Sequence, residues 1–430
     1  MELLIKNVRA VTSGGEESCS IGVSDGRIIA KLAPDTDLTA KRVIDGGGKF
    51  LIPGLIDLHV HFRDPGFEYK EDIISGSKCA AAGGVTSVFC MPNTKPVCDN
   101  EETLSYILGK SKSAFCRIFQ VGAITKGLES REICDLLSLK KAGAAAFSDD
   151  GKPVMTSSML REAMRIGAEN GLLFMSHCEE MTLAGGAMNE GETSRRLGLR
   201  GTPDICEDIA TIRDILIAEE TGCRLHICHV STKGSLDAIR AAKKRGVRLT
   251  CETCPHYFIL TDKDVPEFGA NAKMNPPLRS EEDRKAVIEA IIDGTIDCVS
   301  TDHAPHSEAE KAVGLEKAPN GIIGLQTSFI ASYTALVESG IISLEKLIAL
   351  MSENPAKVTG LYEDGFGRLD IGSRADFAII STGTENVLEK SDLAGKSANT
   401  PFIGRKFTAA IEKTIVGGAI KYERENKNVI

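Results

Sequence analysis

The sequence predicts an α/β fold, a (β/α)8 TIM barrel carrying a small β-sandwich domain built from both termini. Three observations point to it. Eight strand-like apolar runs alternate with helix-compatible segments through residues 53–361, side chains of the metal-ligating kind end five of those runs, and short strand patterns with glycine turns occupy both ends of the chain. Strand–helix alternation repeated eight times is the signature of a closed parallel sheet, with a doubly wound sheet as the competing arrangement.

The elements follow in order. Residues 1–52 hold LLIKNVRAV, a Gly14-Gly15 turn, SIGVSDGRIIAKL and most of KRVIDGGGKFLIPG, with no helix-length period among them. The pair Asp25-Gly26 marks a hairpin, because both central residues of that turn need positive φ. Barrel strands are expected at 55–62 (LIDLHVHF), 86–93 (TSVFCMPN), 117–125, 144–150 (AAAFSDD), 172–178, 224–230 (RLHICHV), 248–254 and 297–303 (DCVSTDH). The segments between them read as helices. SLDAIRAAKKRG, for example, sets Leu236, Ile239 and Ala242 on one face and stops at Gly246. Residues 362–430 return to short strands, so one β domain is expected from 1–52 and 362–430 around a barrel at 53–361.

A chain of 430 residues, 42% of them hydrophobic, buries a large core without disulfide staples. Its 13 cysteines, an odd number without small-scaffold spacing, fit reduced thiols in a cytoplasmic protein. With 51 basic against 60 acidic residues there is no Lys/Arg-dense stretch to track phosphates, which argues against nucleic acid as a partner. The first residues lack a signal-peptide apolar region, and no apolar run approaches the ~20 residues that span a bilayer, so no membrane partner is expected.

The chemistry lies at the strand ends. His59 and His61 end the first barrel run, Asp149 and Asp150 the fourth, His177 the fifth, His229 the sixth and Asp302 the eighth. In a barrel the C-terminal strand ends converge on one mouth. Side chains two apart share a strand face, so His59 and His61 form a pincer. Four imidazoles and two carboxylates suit one or two Zn2+ ions. A lone strand-end histidine is more often structural; the convergence of four argues for metal. Asp149 and Asp150 face opposite ways, and alternation does not choose between them. His226, three residues before His229, is expected to face the other side and pack outward. Cys251 and Cys254 lack the second pair of a zinc ribbon and read as strand residues. Asp57 shares the parity of His59 and reads equally as structural or as support for the site.

Certain stretches also resemble a known family. IPGLIDLHVHFRDPG (52–66) resembles the first motif of the amidohydrolase superfamily, and its HFRDPG end is similar to that of the dihydroorotases. STDHAPHSEAEK (300–311), ending in Lys311, resembles their second signature. MPNT (91–94), FSDDG (147–151), SHCE (176–179), MNPPLR (274–279) and APNGIIGLQ (318–326) match in order and spacing. Over essentially its whole length the chain resembles the bacterial class I dihydroorotases. That resemblance implies zinc-dependent, reversible cyclisation of N-carbamoyl-L-aspartate to L-dihydroorotate in pyrimidine synthesis. It makes His59, His61, His177 and His229 zinc ligands, and Asp302 both ligand and catalytic carboxylate. Family spacing to His177 favours Asp150 as the bridging ligand, in place of the carbamylated lysine of hydantoinases; Lys140 and Lys141 precede the fourth strand. It implies substrate contacts at His61, Arg63, Asn93, Asn275, His306 and the backbone around Asn320 and Gly321. Ser300 departs from the usual Ala or Gly of the signature, and Tyr257 from a second histidine after His256. The implied partners are a small-molecule substrate, a second copy in a homodimer, and aspartate transcarbamoylase. Rival readings are a hydantoinase or allantoinase, against which Arg63 argues, and a non-catalytic scaffold, against which the intact ligand set argues. Loops at 277–279 and 307–321 are candidates to close over the mouth.

Overall fold

A parallel strand covered on both faces must be apolar almost throughout. All six residues of Leu55–Val60 and all six of Val85–Cys90 are buried. In the computed structural model, which describes residues 1–424, these are the first two strands of a ring. Arg117–Gly122, Ala146–Phe147, Leu173–Ser176, Arg224–Ile227, Leu249–Thr253 and Cys298–Val299 follow, each paired in parallel with its predecessor. A parallel bridge between Val60 and His303 joins the eighth strand back to the first. Each of these eight strands overlaps one expected from the sequence.

Two apolar layers hold the ring. Ile56, Leu58, Phe89, Val121, Ala146, Met175, Cys228 and Cys298 form one cluster drawn from around the circle, which only the barrel interior allows. Outside, helices cover the strands. Lys233–Lys244 buries Leu236, Ile239 and Ala242, the face expected from its spacing, and Gly246 follows in a left-handed conformation (φ +83°). Ser157–Glu169 buries Leu160, Ala163 and Met164 in the same way.

Strands from both chain ends share a separate sheet. Its order is Ala419–Glu423, Lys406–Val416, Phe377–Val387, Phe50–Pro53, Leu3–Thr12, Gly15–Ser24 and Arg27–Leu32, with Arg42–Asp45 pairing beside Leu3–Thr12. Its core is its own, built on Ile5, Ile21, Ile28, Leu51, Phe377 and Ile415. The hairpin turns at Asp25 (φ +51°) and Gly26 (φ +67°), which is why that dipeptide stands there. Residues 425–430 of the expected C-terminal β segment lie outside the described residues. All 13 cysteines are free and buried, with Cys251 inside the seventh strand and Cys254 one residue past it. No helix of the described residues is long and apolar enough to cross a membrane.

Two expectations are corrected. His226 does not pack outward: it is fully buried, 3.2 Å from Glu252 and 2.8 Å from Thr250 Oγ1. Alternation fails because it assumes extended backbone. His229 takes φ +38°, so Cys228 and His229 both reach the interior and parity is lost between His226 and His229. The stretch 277–279 is no free flap. Arg279 is buried and bonds to Asn189, Asp204, Glu207 and Ser231, which pins this stretch to the barrel.

Candidate active site

Side chains from the C-terminal strand ends meet in one cluster. Nε2 of His59 is 3.1 Å from Asp150 and 3.7 Å from Asp302. Nε2 of His61 is 3.0 Å from Asp302 and 3.4 Å from Asp150. His177 Nδ1 and His229 Nε2 are 2.9 Å apart, and Asp150 lies 3.6 and 3.7 Å from them. All six side chains are buried. Asp149 turns away and accepts from the backbone N–H groups of Ile124 and Thr125, so of the two adjacent aspartates Asp150 is the one among the imidazoles.

The partners behind each ring decide what it presents. His59 Nδ1 faces Glu252 Oε1 at 3.2 Å, and a carboxylate only accepts, so that nitrogen carries the proton. His61 Nδ1 donates to Asn93 Oδ1 at 2.9 Å, and His177 Nε2 to Glu179 at 3.1 Å. Each ring therefore turns a lone pair toward Asp150 and Asp302. Lone pairs facing carboxylate oxygens repel unless a cation lies between them. Consistently, His59 Nε2 and Asp150 Oδ1 are buried without a hydrogen bond. Burial alone would push the His59 pKa down, yet Asp150 and Asp302 hold it well above its usual value, so the same carboxylates draw either a proton or a cation to Nε2. The site favours a positive charge at its centre. Two overlapping sets, His59–His61–Asp302 and His59–Asp150–His229, have ligand atoms close enough to share an ion. Donors of this kind, oriented by carboxylates behind the imidazoles, fit a divalent transition metal.

A group away from this mouth, Glu71, Cys79 and His303, is as compact but does not fit. His303 Nδ1 accepts from the N–H groups of Gly324 and Leu325, so its Nε2 is protonated and offers no lone pair. Burial also pushes the Cys79 thiol well up.

Beside the cluster opens a cavity of about 270 Å³, lined by His61, Arg63, Asn93, Asp150, His177, Asn275, Asp302, His306, Asn320 and Gly321, together with Gly151, Met274 and Ala304. Every expected substrate contact thus borders the same space, while His59 and His229 lie outside its lining. Arg63 pairs with no carboxylate among the described residues; its Nη2 lies 3.5 Å from His306, and its Nε donates to Pro305 O. His306 donates to Asn320 O at 2.8 Å and faces Lys70 Nζ at 3.3 Å through Nδ1. Burial, with Arg63 and Lys70 beside it, pushes His306 down to about 3, so the ring is neutral. His256 is also neutral, pushed by burial to about 3, and lines neither the cluster nor the cavity.

Three non-glycine residues around this mouth, Arg63 (φ +60°), His229 (φ +38°) and Asp302 (φ +46°), hold left-handed backbone. Such strain, of order 1–3 kcal/mol each, persists where surrounding structure enforces it and concentrates at functional sites.

Sequence reasoning missed Glu252, Glu179 and Lys70. Glu252 is fully buried and contacts His59, His226 and Ser300 Oγ. The available signal was a carboxylate inside a strand covered on both faces, where an unpaired charge is not tolerated. Asp57 accepts from the backbone N–H groups of His59 and Thr301 and so ties the first strand to the eighth. Burial raises its pKa to about 7.

A (β/α)8 barrel with a sheet from both termini and a histidine–aspartate cluster at its mouth is an architecture this chain shares with a solved cyclic-amide hydrolase of the hydantoinase type. A family model described as dihydro-orotase-like matches residues 48–235. The dihydroorotase of Trichlorobacter lovleyi is 47% identical over 427 residues, covering 98% of this chain and 99% of that protein. The dihydroorotase of Geobacter metallireducens is 47% identical over 428 residues, covering 99% and 100%. Among solved structures, the L-hydantoinase (dihydropyrimidinase) of Arthrobacter aurescens superimposes with a TM-score of 0.90 at 29% identity, covering 100% of this chain and 97% of that one. The chain belongs to the dihydroorotase family. Membership implies a metal cofactor and a small-molecule substrate.

Proposed function

We propose that this chain is a zinc enzyme interconverting N-carbamoyl-L-aspartate with L-dihydroorotate and water. The observation that carries this reading is Arg63, a guanidinium without a carboxylate partner that borders the cavity beside the cluster. Dihydroorotate has a ring carboxylate that takes no part in the chemistry, and a guanidinium matches it in a planar, bidentate way. Hydantoinase and allantoinase substrates carry no such group.

In this reading His59, His61, His177, His229, Asp150 and Asp302 hold one or two Zn2+ ions, two by the overlap of the ligand sets. When bound, such an ion polarises a carbonyl and lowers the pKa of water. Arg63, Asn93, Asn275, His306 and the backbone of Asn320 and Gly321 hold the carboxylate and ring. In the hydrolytic direction water adds to the ring carbonyl as Asp302 takes its proton. The C–N bond breaks, and Asp302 returns that proton to the departing nitrogen. Cyclisation is the reverse. A fourth strand followed by Asp149 and Asp150, with Lys140 and Lys141 on the helix Leu136–Ala142 before it, supports a carboxylate bridge over a carbamylated lysine. The homodimer and the association with aspartate transcarbamoylase remain part of this proposal. Sedimentation velocity of the chain, alone and mixed with that enzyme, tests both.

The test of the substrate is Arg63→Met. Loss of a charge-assisted hydrogen bond costs about 1.5–3 kcal/mol, so kcat/KM for dihydroorotate is expected to fall roughly ten- to 150-fold with metal content intact. Turnover of the uncharged ring dihydrouracil should hardly change. Equal losses on both substrates would assign Arg63 to the fold or the metal site instead.

Gly321 gives a second test. Its φ is +151°, and a Cβ there would lie 2.5 Å from Ala304 O and 2.8 Å from His306 Cδ2. Gly321→Ala should therefore shift His306 and raise KM about fivefold, the scale of ~1 kcal/mol of local strain, with zinc content unchanged. An unaltered KM would remove this turn from the substrate site.

A further inference from the structure

We infer that Glu179 is a positioning residue that couples His177 to Asn275, making one side chain responsible both for metal affinity and for substrate affinity. The inference rests on the roles given to His177 and Asn275 above. Glu179 stands two residues past His177, on the chain leaving the fifth barrel strand, and is buried. A single oxygen, Oε2, lies 3.1 Å from His177 Nε2 and 2.9 Å from Asn275 Nδ2. Because a carboxylate only accepts, both groups donate to it.

Each donation has its own consequence. Donation from Nε2 leaves His177 Nδ1 unprotonated and aimed at His229 and Asp150, the orientation a ligand needs. Donation from Asn275 fixes its amide plane at the cavity wall, leaving its carbonyl oxygen and second N–H for a bound ring. Since both bonds end on one oxygen, the imidazole and the amide are held in fixed relation across 98 residues of sequence, from position 177 to position 275. Asn93 offers a parallel: its Oδ1 accepts from His61 and its Nδ2 approaches Asp150. Asn93 borders the cavity itself, however, whereas Glu179 is absent from the lining and acts only through its two partners.

Variants of Glu179, Asn275 and His177 test the coupling by zinc affinity in substrate-free protein, from chelator competition, and by KM at saturating zinc. Glu179→Ala should weaken zinc binding about ten- to a hundredfold, the usual effect of removing a group that orients a ligand. It should also raise KM, and adding Asn275→Ala should raise KM no further, because an unaimed amide contributes nothing. Glu179→Gln keeps an acceptor oxygen but loses the charge. It should restore KM to within a few-fold of the parent while zinc affinity stays reduced, and its native size guards against a variant that merely fails to fold. Additive KM effects of Glu179→Ala and Asn275→Ala, or a KM unaffected by Glu179→Ala, would overturn the coupling. So would zinc affinity unchanged in both Glu179 variants. A His177→Ala variant with parental zinc affinity would instead overturn the ligand assignment on which the inference rests.

Discussion

Stripping divalent metal from the purified chain is expected to abolish dihydroorotate turnover, and Zn2+ to restore it without added bicarbonate. The cluster explains both halves. Three imidazoles are turned by Glu252, Asn93 and Glu179 so that their lone pairs face Asp150 and Asp302. Without a cation these groups repel or must take up protons, so the metal-free chain should also melt at lower temperature. Added Zn2+ should raise the melting temperature with its concentration, as for any ligand that binds the folded state alone. The indifference to bicarbonate follows from the proposed bridging by Asp150 in place of a carbamylated lysine. Elemental analysis, melting temperature and turnover measured on the same samples check all three. Full activity in metal-free protein would remove the metal from the account, and a strict bicarbonate requirement would remove Asp150 from the bridge.

Asp302→Asn is expected to lower kcat by roughly 10²-fold or more, the usual contribution of a positioned proton-transfer group. Asparagine is the informative replacement on two grounds. Asp302 has φ +46°, a conformation that Asn tolerates and most residues do not, so the backbone of the eighth strand end should be kept. An amide also retains one oxygen toward His61, 3.0 Å away, while losing the ability to take up a proton at neutral pH. Because the same change weakens a metal ligand, zinc content must be measured alongside the rate. A fall in kcat at full zinc occupancy supports the proton-transfer role. Near-normal kcat would move that role to another group.

The ring of eight strands was legible because its physical cause is local. A strand buried on both faces must be an apolar run, and LIDLHV and VTSVFC are such runs whatever surrounds them. The clustered histidines were legible for the same reason, as polar residues at the ends of apolar strands. What stayed hidden depends on single backbone angles and on partners distant in sequence. The left-handed turn at His229 reversed the facing expected of His226. Glu252, 193 residues from His59, could be found only as a charge out of place in a strand. Alternation alone did not separate Asp149 from Asp150; that separation appears in three dimensions, where Thr125 takes one and the imidazoles surround the other. The fixed position of Arg279 is not legible locally, because its anchors, Asn189, Asp204 and Glu207, lie on other segments.

Anomalous scattering at the zinc edge, from crystals of active protein, tests the central claim most directly. The account predicts peaks at the barrel mouth, bounded by His59, His61, His177, His229, Asp150 and Asp302. It predicts none between Glu71, Cys79 and His303, where the protonated Nε2 excludes a ligand bond. Active crystals with no peak at the mouth, or with zinc at the Glu71–Cys79–His303 group instead, would contradict it.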